Sequence, residues 1–283
     1  MPTTQIISVF CEGPHDIAFL TKLLKAADYQ SNDGSKINDY PTPINKLLLA
    51  EANKSNLQDL NLQTIKQTTL PLTSLKKDNN YLLFYALRGD QKRAERISYL
   101  RKIKKLLPTP NEIIRLPPNT KLSVLYFFDA DEKGKTDRIS SINAEIREVF
   151  DNLSASIRLT TENPINIDKH LSLGAYIFTQ PNTETGKLED LIEPLMREGN
   201  ETIFSAAEQF INDHHDVQRC TRNNFNRQKS IIGVSGQLQK SGVSNFDCIR
   251  QTDYLTKEKL LNHEECKKII ALFNALITTS TVN

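Results

Sequence analysis

Short apolar runs alternate with helical patterns along this chain, and that alternation limits the folds open to it. Runs rich in β-branched and aromatic residues occupy positions 5–11, 81–87, 122–128 and 172–179. Each run has the length of one buried strand. Between the runs, apolar residues step by three and four, as they do on one face of a helix. Strands alternating with helices predict an α/β fold with a mainly parallel sheet flanked by helices.

The pattern weakens in two places and so suggests a division of the chain. Residues 31–80 lose the alternation, apart from a helical pattern at 44–52 and an extended segment at 63–72. We interpret that stretch as an insertion. After about residue 200 only helices separated by polar loops follow. The sequence therefore predicts an α/β domain over 1–200, with its insertion, and a mostly helical C-terminal extension over 201–283.

The composition excludes some classes of protein. The chain has 283 residues, with 36 Lys and Arg against 34 Asp and Glu, giving a net charge of +2. A uniformly basic coat for nucleic acid is therefore excluded, although a local basic face is not. The sequence contains no apolar run of about 18 residues, so we expect no membrane partner. The four scattered cysteines form no Cys-x-x-Cys pair, which favours reduced thiols and a cytoplasmic location.

Acidic residues follow three of the predicted strands. Glu12 follows the first, Asp129 and Asp131 follow the third, and Glu189 with Asp190 come after the loop that follows the fourth. The carboxyl ends of strands in open parallel sheets form the usual ligand crevice. Two like charges at 4 Å repel by about 4 kcal/mol at intermediate dielectric. A divalent cation removes that cost, and Mg²⁺ prefers oxygen ligands. The pattern thus indicates metal-assisted phosphoryl transfer.

Each acidic cluster also has a purely structural interpretation. Acidic residues after strands often cap the next helix, and Asp16 stands at the third position of the first helix, where its charge suits the helix dipole. A zinc site is a further alternative. Its ligands would be drawn from His214, His215, Cys220, His263 and Cys266.

Four motifs taken together resemble the Toprim domain. Val-Phe-Cys-Glu-Gly-Pro-His-Asp at 9–16 is similar to the family's first motif, a strand ending in Glu-Gly with an acid shortly after. Tyr-Phe-Phe-Asp-Ala-Asp at 126–131 is similar to its Asp-x-Asp motif, and Leu-Arg-Gly-Asp at 87–90 to an intervening strand and turn. Gly-Lys-Leu-Glu-Asp at 186–190 resembles a later acidic motif of OLD-type and stand-alone members.

The resemblance implies a Toprim-like, Rossmann-like sheet that binds Mg²⁺, with Mn²⁺ as a substitute. Glu12 would be a metal ligand or the acid–base group. A later lysine, Lys229 or alternatively Lys240, would stabilise charge on the phosphate in the transition state. Asp129 and Asp131 would bind the first ion, and Asp16 with Glu189 or Asp190 the second. The implied metal ligands are therefore Glu12, Asp16, Asp129, Asp131, Glu189 and Asp190.

The resemblance favours one function over its alternatives. The sequence shows no recognisable ATPase domain, primase zinc domain or topoisomerase tyrosine domain. We therefore expect a metal-dependent nuclease that cleaves DNA or RNA. It would work with a separate ATPase or regulatory protein, as some phage-defence Toprim proteins do. One alternative is a non-catalytic Toprim-like module that binds nucleic acid or a protein. Another is a toxin-like effector held inactive by another protein.

A basic run supports a nucleic-acid partner. Eight of the residues between 88 and 105 are Lys or Arg, and each phosphate contact would add a salt-dependent contribution to affinity. Three of them, Arg93, Arg96 and Lys104, lie toward the apolar side of the predicted helix, and a solvated helix face is the alternative. The predicted phosphate contacts are Arg88, Lys92, Arg93 and Arg96.

Overall fold

The fold was analysed in a computed structural model of the chain. The structure describes residues 3–53, 70–87, 92–108, 116–151, 153, 157–161, 163–216, 218 and 226–278.

Seven strands form one mixed sheet. Its order is β2-β3-β4-β1-β5-β7-β6, and the four central strands β4, β1, β5 and β7 are parallel. The edge strands β2, β3 and β6 pair antiparallel. The strands are β1 (Thr4–Cys11), β2 (Gln30–Ser31), β3 (Thr73–Lys77), β4 (Asn80–Ala86), β5 (Thr120–Asp129), β6 (Ile165–Asn166) and β7 (Leu171–Phe178). The predicted α/β fold with a mainly parallel sheet is confirmed.

Ten α-helices are present in the described part of the chain, together with a short 3-10 helix at Ile37–Asp39. The first helix begins at Pro14, where a missing backbone N–H costs nothing. The helices are α1 (Pro14–Ala26), α2 (Ile44–Asn53), α3 (Arg93–Lys104), α4 (Lys135–Val149), α5 (Leu188–Arg197), α6 (Glu201–His214), α7 (Arg227–Gln237), α8 (Asn245–Gln251), α9 (Lys257–Asn262) and α10 (Glu264–Thr278). None of these helices is long and apolar enough to cross a bilayer.

The helices cover both faces of the sheet. Alternate residues of the central strands are buried on opposite faces, so that Val9 joins one core and Phe10 the other. The first core lies beneath α1 and α5 to α10, and the second beneath α2, α3 and α4. The molecule is therefore a three-layer α/β/α arrangement.

The C-terminal region is helical, as predicted, and it supplies most of one layer. The rings of Phe127 in β5 and Phe273 in α10 stack with centroids 5.6 Å apart. Gly174 in β7 permits this close packing, because a Cβ there would lie 2.6 Å from the Leu125 side chain and 3.5 Å from Leu272. The 201–283 extension thus shares its core with the sheet, and a domain boundary near residue 200 stays a prediction.

The predicted insertion contains more sheet than its sequence suggested. The helical pattern at 44–52 corresponds to α2, whereas β3 was not predicted. Its sequence, Thr-Ser-Leu-Lys-Lys, has only one large apolar side chain. A short polar segment of this kind adopts the strand conformation because its backbone pairs with β4. The predicted extended segment at 63–72 falls mostly outside the described residues, as does the turn at 88–90.

Candidate active site

The order of the central strands opens a crevice between β1 and β5. The chain passes from β1 to β4 on one side, and from β5 to β7 on the other. Ligands of open α/β sheets bind at such a reversal of direction, outside the carboxyl ends of the strands. Glu12 follows β1, and Asp129 is the last residue of β5. Cys11 pairs in register with Phe127, so both carboxylates belong to this crevice.

Asp129 is held in an environment that disfavours its charge. Its Oδ1 accepts a hydrogen bond of 2.8 Å from the backbone N–H of Leu188, the first residue of α5. Burial, followed by the nearby charges of Asp16 and Glu12, raises the pKa of Asp129 to about 9. Without a cation, Asp129 therefore retains a proton at neutral pH.

Glu12 shares a cationic neighbour with Asp131. Nη2 of Arg138 lies 2.9 Å from Oδ2 of Asp131 and 3.6 Å from Oε1 of Glu12, and Nε donates to the carbonyl oxygen of Asp129 at 2.9 Å. Burial raises the pKa of Glu12, although the charge of Arg138 opposes that rise. Glu12 Oε1 is buried and has no hydrogen-bond partner. The structure thus places Glu12, Asp129 and Asp131 around one guanidinium group.

A backbone bridge carries the later acidic motif to the crevice. The N–H of Asp131 donates to the Gly186 carbonyl at 2.8 Å, and the reverse hydrogen bond measures 3.3 Å. Gly186 has φ +134, and a Cβ there would lie 2.2 Å from the backbone nitrogen of Gln180. Only glycine therefore fits this turn without rearrangement. The bridge fixes the start of α5 next to the end of β5.

Glu189 lies on the other side of the cluster and contacts one lysine and one histidine. Its Oε1 is 3.4 Å from Nζ of Lys229 and 3.4 Å from Nδ1 of His15. Burial raises the pKa of Glu189, but the hydrogen bond from His15 and the charge of Lys229 outweigh it and hold the pKa below its usual range. Glu189 Oε2 is buried without a hydrogen-bond partner.

These contacts distinguish between the two candidate lysines. The carboxylate cluster consists of Glu12, Asp16, Asp129, Asp131 and Glu189. Lys229 in α7 reaches it at Glu189, and the charge of Lys229 also acts on Asp16. Lys240 is exposed after α7 and forms no ion pair with a residue that the structure describes. His15 was not among the predicted site residues, because its partner Glu189 is 174 positions away in the sequence. Its place beside Glu12 in the first motif was the available signal.

Asp16 and Asp190 have equivalent structural roles. Each is the third residue of its helix and accepts a hydrogen bond from a backbone N–H just before that helix. The distances are 2.6 Å from Gly13 to Asp16 and 2.8 Å from Lys187 to Asp190. Asp190 also accepts from the side chains of Gln180 and Gln228. Asp190 therefore caps α5 and has few oxygen lone pairs left for a metal. Asp16 retains more chemical freedom, and burial raises its pKa to about 7.

The predicted nucleic-acid contacts need one correction. Arg96 is 2% exposed, and its guanidinium donates to both carboxylate oxygens of Glu145 in α4, at 2.5 and 3.0 Å. It also donates to the Leu87 carbonyl and lies over the Phe128 ring. The prediction that Arg96 contacts phosphate is therefore wrong, because this side chain is buried between α3, α4 and the sheet.

The other members of the basic run are engaged on the protein surface or lie outside the described residues. Lys92 pairs with Glu95, and Arg93 pairs with Glu148 of α4 at 2.6 Å. Both cations are partly exposed and keep a path to solvent. Arg88 lies outside the described residues.

The donor set fits a divalent cation in chemistry but does not close around one. Two buried carboxylate oxygens, Glu12 Oε1 and Glu189 Oε2, have no hydrogen-bond partner. The raised pKa of Asp129 shows that added positive charge would stabilise the cluster. Within the described ranges, however, no group of three or more His, Cys, Asp or Glu is arranged to hold a metal ion. Arg138 lies between the carboxylates that would have to approach one another.

The same result bears on the zinc alternative. Cys220 lies outside the described residues, and Cys266 is buried in the apolar core that α10 shares with the sheet.

The fold and the crevice thus define an α/β protein with an acidic, arginine-bridged site at the carboxyl end of its sheet. The chain belongs to a family described as a protein of unknown function, DUF3226, whose profile matches residues 7–278. Its fold is similar to the crystal structure of the hypothetical protein PH0156 from Pyrococcus horikoshii OT3. That protein is 17% identical, with a TM-score of 0.53, and the match covers 99% of this chain and 100% of that one. Among curated proteins, none matches the chain significantly.

Proposed function

We propose that this protein is a metal-dependent nuclease of the Toprim type that cleaves phosphodiester bonds in DNA or RNA. The observation that carries the proposal is the position of Glu12, Asp129 and Asp131 on adjacent strand ends at the reversal of the sheet. Groups whose pKa values are strongly shifted by burial and by one another are frequent at catalytic sites. The Toprim resemblance of the four motifs adds to this reading.

A Mg²⁺ or Mn²⁺ ion, when bound, would polarise the phosphate and lower the pKa of an attacking water. Glu12, Asp129 and Asp131 would hold it. Arg138 would first have to release Glu12 or Asp131, because its guanidinium lies between them. The released guanidinium would remain close enough to bind a phosphate oxygen, a role that suits its planar array of donors.

The residues around Glu189 would act on the substrate. Lys229 and His15 share the Glu189 carboxylate, which keeps both side chains at the rim of the crevice. Lys229 is 43% exposed, so its ammonium group can reach a bound phosphate and stabilise the charge that develops there. Glu189 is therefore better described as a positioning residue for Lys229 than as a metal ligand.

A second candidate function is a non-catalytic module that binds nucleic acid or a protein. Arg138 favours it, because a guanidinium that neutralises Glu12 and Asp131 removes their need for a metal. In this case the cluster would be a structural ion network, and the cations at its rim would contact a ligand without cleaving it.

The deciding experiment is a cleavage assay on plasmid, linear duplex, single-stranded DNA and RNA. Each substrate is incubated with Mg²⁺, Mn²⁺ or chelator, and the series is repeated with the product of any neighbouring ATPase gene. We expect cleavage with either metal and none in chelator. If the protein binds nucleic acid and cuts no substrate under any of these conditions, the binding module replaces the nuclease. We also place the protein in the cytoplasm, in keeping with Cys11, Cys248 and Cys266, which are buried free thiols.

A further inference from the structure

A cavity of about 780 Å³ lies next to the carboxylate cluster, at the carboxyl end of β7. It is lined by residues of β7, α5, α10 and the loop 179–183 and is open to solvent on one side. Its volume falls within the range of pockets that take small molecules and cofactors. The nuclease mechanism proposed above does not use this cavity.

One wall of the cavity is a continuous apolar face of α10. Ala271, Leu272 and Ala275 line it together with Lys268, and their spacing of three and four residues places them on one side of the helix. The two alanines leave the space that larger side chains would fill. Leu191 and Pro194 of α5 extend the apolar floor.

The rim of the cavity carries neutral hydrogen-bonding groups. Gln180, Asn182 and Thr183 from the loop after β7 line it, as do Thr161 and Asn163 near β6. Amide side chains both donate and accept hydrogen bonds. His263 adds a buried Nδ1 atom without a hydrogen-bond partner, and unpaired buried polar atoms of this kind are costly unless a ligand or water satisfies them.

The charges of the cavity are asymmetric. Glu265 is fully engaged, since Tyr176 donates to one of its oxygens at 2.6 Å and Lys268 to the other at 2.7 Å. Asp190 is engaged in capping α5. Lys135, by contrast, is among the residues that line the cavity, and it forms no ion pair with any residue that the structure describes. The cavity therefore offers one uncompensated cation.

Lys135 connects the cavity to the acidic crevice. It is the first residue of α4, four positions after Asp131, and its backbone N–H donates to the Glu184 carbonyl at 2.7 Å. The loop that carries Glu184 is the one bridged to Asp131 through Gly186. A ligand phosphate at Lys135 would thus lie at the border between the cavity and the carboxylates.

We propose that this cavity is a nucleotide subsite that receives one unpaired nucleotide of a single strand. The base would lie on the apolar floor with its edge toward the amide groups of the rim, and its phosphate would face Lys135. A fatty acid would leave the amide rim unpaired, and a free sugar would make no use of the apolar wall. The inference rests on the proposed function for the identity of the polymer, but not for the binding of a nucleotide.

The test measures equilibrium binding of nucleoside monophosphates in chelator, where no cleavage occurs, by calorimetry. Ribose 5-phosphate and the free nucleosides serve as partial ligands. We expect a nucleoside monophosphate to bind at least tenfold more tightly than ribose 5-phosphate. Lys135→Ala should reduce the affinity for the monophosphate at least fivefold and leave the affinity for the nucleoside unchanged.

Matched variants test the location. Ala271→Phe fills the cavity from an exposed helical position and should reduce the affinity for the monophosphate at least tenfold. The control, Ala206→Phe, places the same side chain at an exposed position of α6 outside the cavity. It should bind the monophosphate as tightly as wild type does. Unchanged melting temperatures would show that both variants fold. The proposal is overturned if wild type binds no monophosphate at millimolar concentration, or if Ala271→Phe binds as tightly as wild type. Because no metal is present, this outcome is independent of whether the protein cleaves nucleic acid.

Discussion

Nη2 of Arg138 lies 2.9 Å from Oδ2 of Asp131, where the metal ligands of a nuclease would have to meet. The same nitrogen is 3.6 Å from Glu12, and the Arg138 side chain is only 7% exposed. An internal cation therefore holds this cluster together. A divalent cation, if it binds as proposed, would compete with this arginine for the same carboxylates.

That competition predicts the behaviour of Arg138→Gln. In chelator, the variant should melt at a lower temperature than wild type, because the carboxylates lose the charge that compensates them. Its affinity for Mn²⁺ should rise about tenfold, which corresponds to about 1.4 kcal/mol, since the ion no longer displaces a cation. Calorimetric titration with Mn²⁺ measures the affinity, and Arg147→Gln in the last turn of α4 is the control. Unchanged or weaker Mn²⁺ binding would show that Arg138 orients the ligands.

Neutralising one carboxylate separates catalysis from stability. Glu12→Gln and Asp129→Asn should each reduce cleavage by about three orders of magnitude or more, because metal-bound charge stabilisation is lost. In chelator both variants should melt at or above the wild-type temperature, because Glu12→Gln removes a charge that burial disfavours and Asp129→Asn removes a carboxyl that must take up a proton on folding. Glu132→Gln, an exposed position in the same turn, should retain activity. Melting of both variants well below wild type, with no wild-type cleavage, would identify the carboxylates as structural caps.

The pH dependence of stability follows from Asp129. Its pKa is about 9 in the folded chain and about 3.9 when unfolded, so the folded state holds a proton that the unfolded state releases between these values. This contribution to stability is complete below about pH 4 and is lost as the pH rises toward 9. Asp129→Asn keeps the Oδ1 atom that accepts the hydrogen bond from Leu188 but cannot titrate. The stability of this variant should therefore decrease less than that of wild type as the pH rises.

The measurement is thermal unfolding in chelator across this pH interval. The variant should exceed wild type by about 2–4 °C at about pH 8, the shift that about 1 kcal/mol gives in a chain of this size, and by less at about pH 5. The variant should keep part of the pH dependence of its melting temperature, because Asp16, with a pKa of about 7, still titrates in this interval. If the melting temperatures of wild type and variant change in parallel with pH, the assignment of the pH dependence to Asp129 is contradicted.

Arg96 should behave as a buried ion-pair residue. Arg96→Met leaves Glu145, which is 3% exposed, without its partner, and the free energy of unfolding should fall by about 3–5 kcal/mol. Urea denaturation measures the change. The double variant with Glu145→Met should recover much of the loss, because both charges are then absent. A loss below about 1 kcal/mol for the single variant would show that the pair is dispensable.

Arg93 should report on nucleic-acid binding instead. It is 46% exposed and paired with Glu148, so Arg93→Ala should change the free energy of unfolding by less than about 0.5 kcal/mol. If Arg93 contacts a phosphate, affinity for nucleic acid should fall, and the slope of log K against log salt should decrease by about one. Titrations at several salt concentrations measure the slope. An unchanged slope would exclude Arg93 from the interface.

Local patterns predicted much of the sheet and the positions of its acidic residues. The runs at 5–11, 81–87, 122–128 and 172–179 coincide closely with the four parallel strands, because buried parallel strands are continuously apolar. The positions of Glu12 and Asp129 at strand ends followed from the same pattern. The strand β3 did not, because its pairing with β4 outweighs its polar sequence.

The amino-acid sequence by itself determined the α/β fold, the strand ends that carry the acidic motifs and the helical C-terminal region, because these depend on periodicity within short segments. Only the tertiary structure decided which charges meet. Arg96 finds Glu145 across 49 positions and His15 finds Glu189 across 174. Arg138 enters the acidic cluster because α4 packs against the sheet at β7 and Arg138 reaches back to the Asp129 carbonyl at the end of β5. Contacts between distant segments depend on how helices settle on the sheet, and periodicity carries no record of that arrangement.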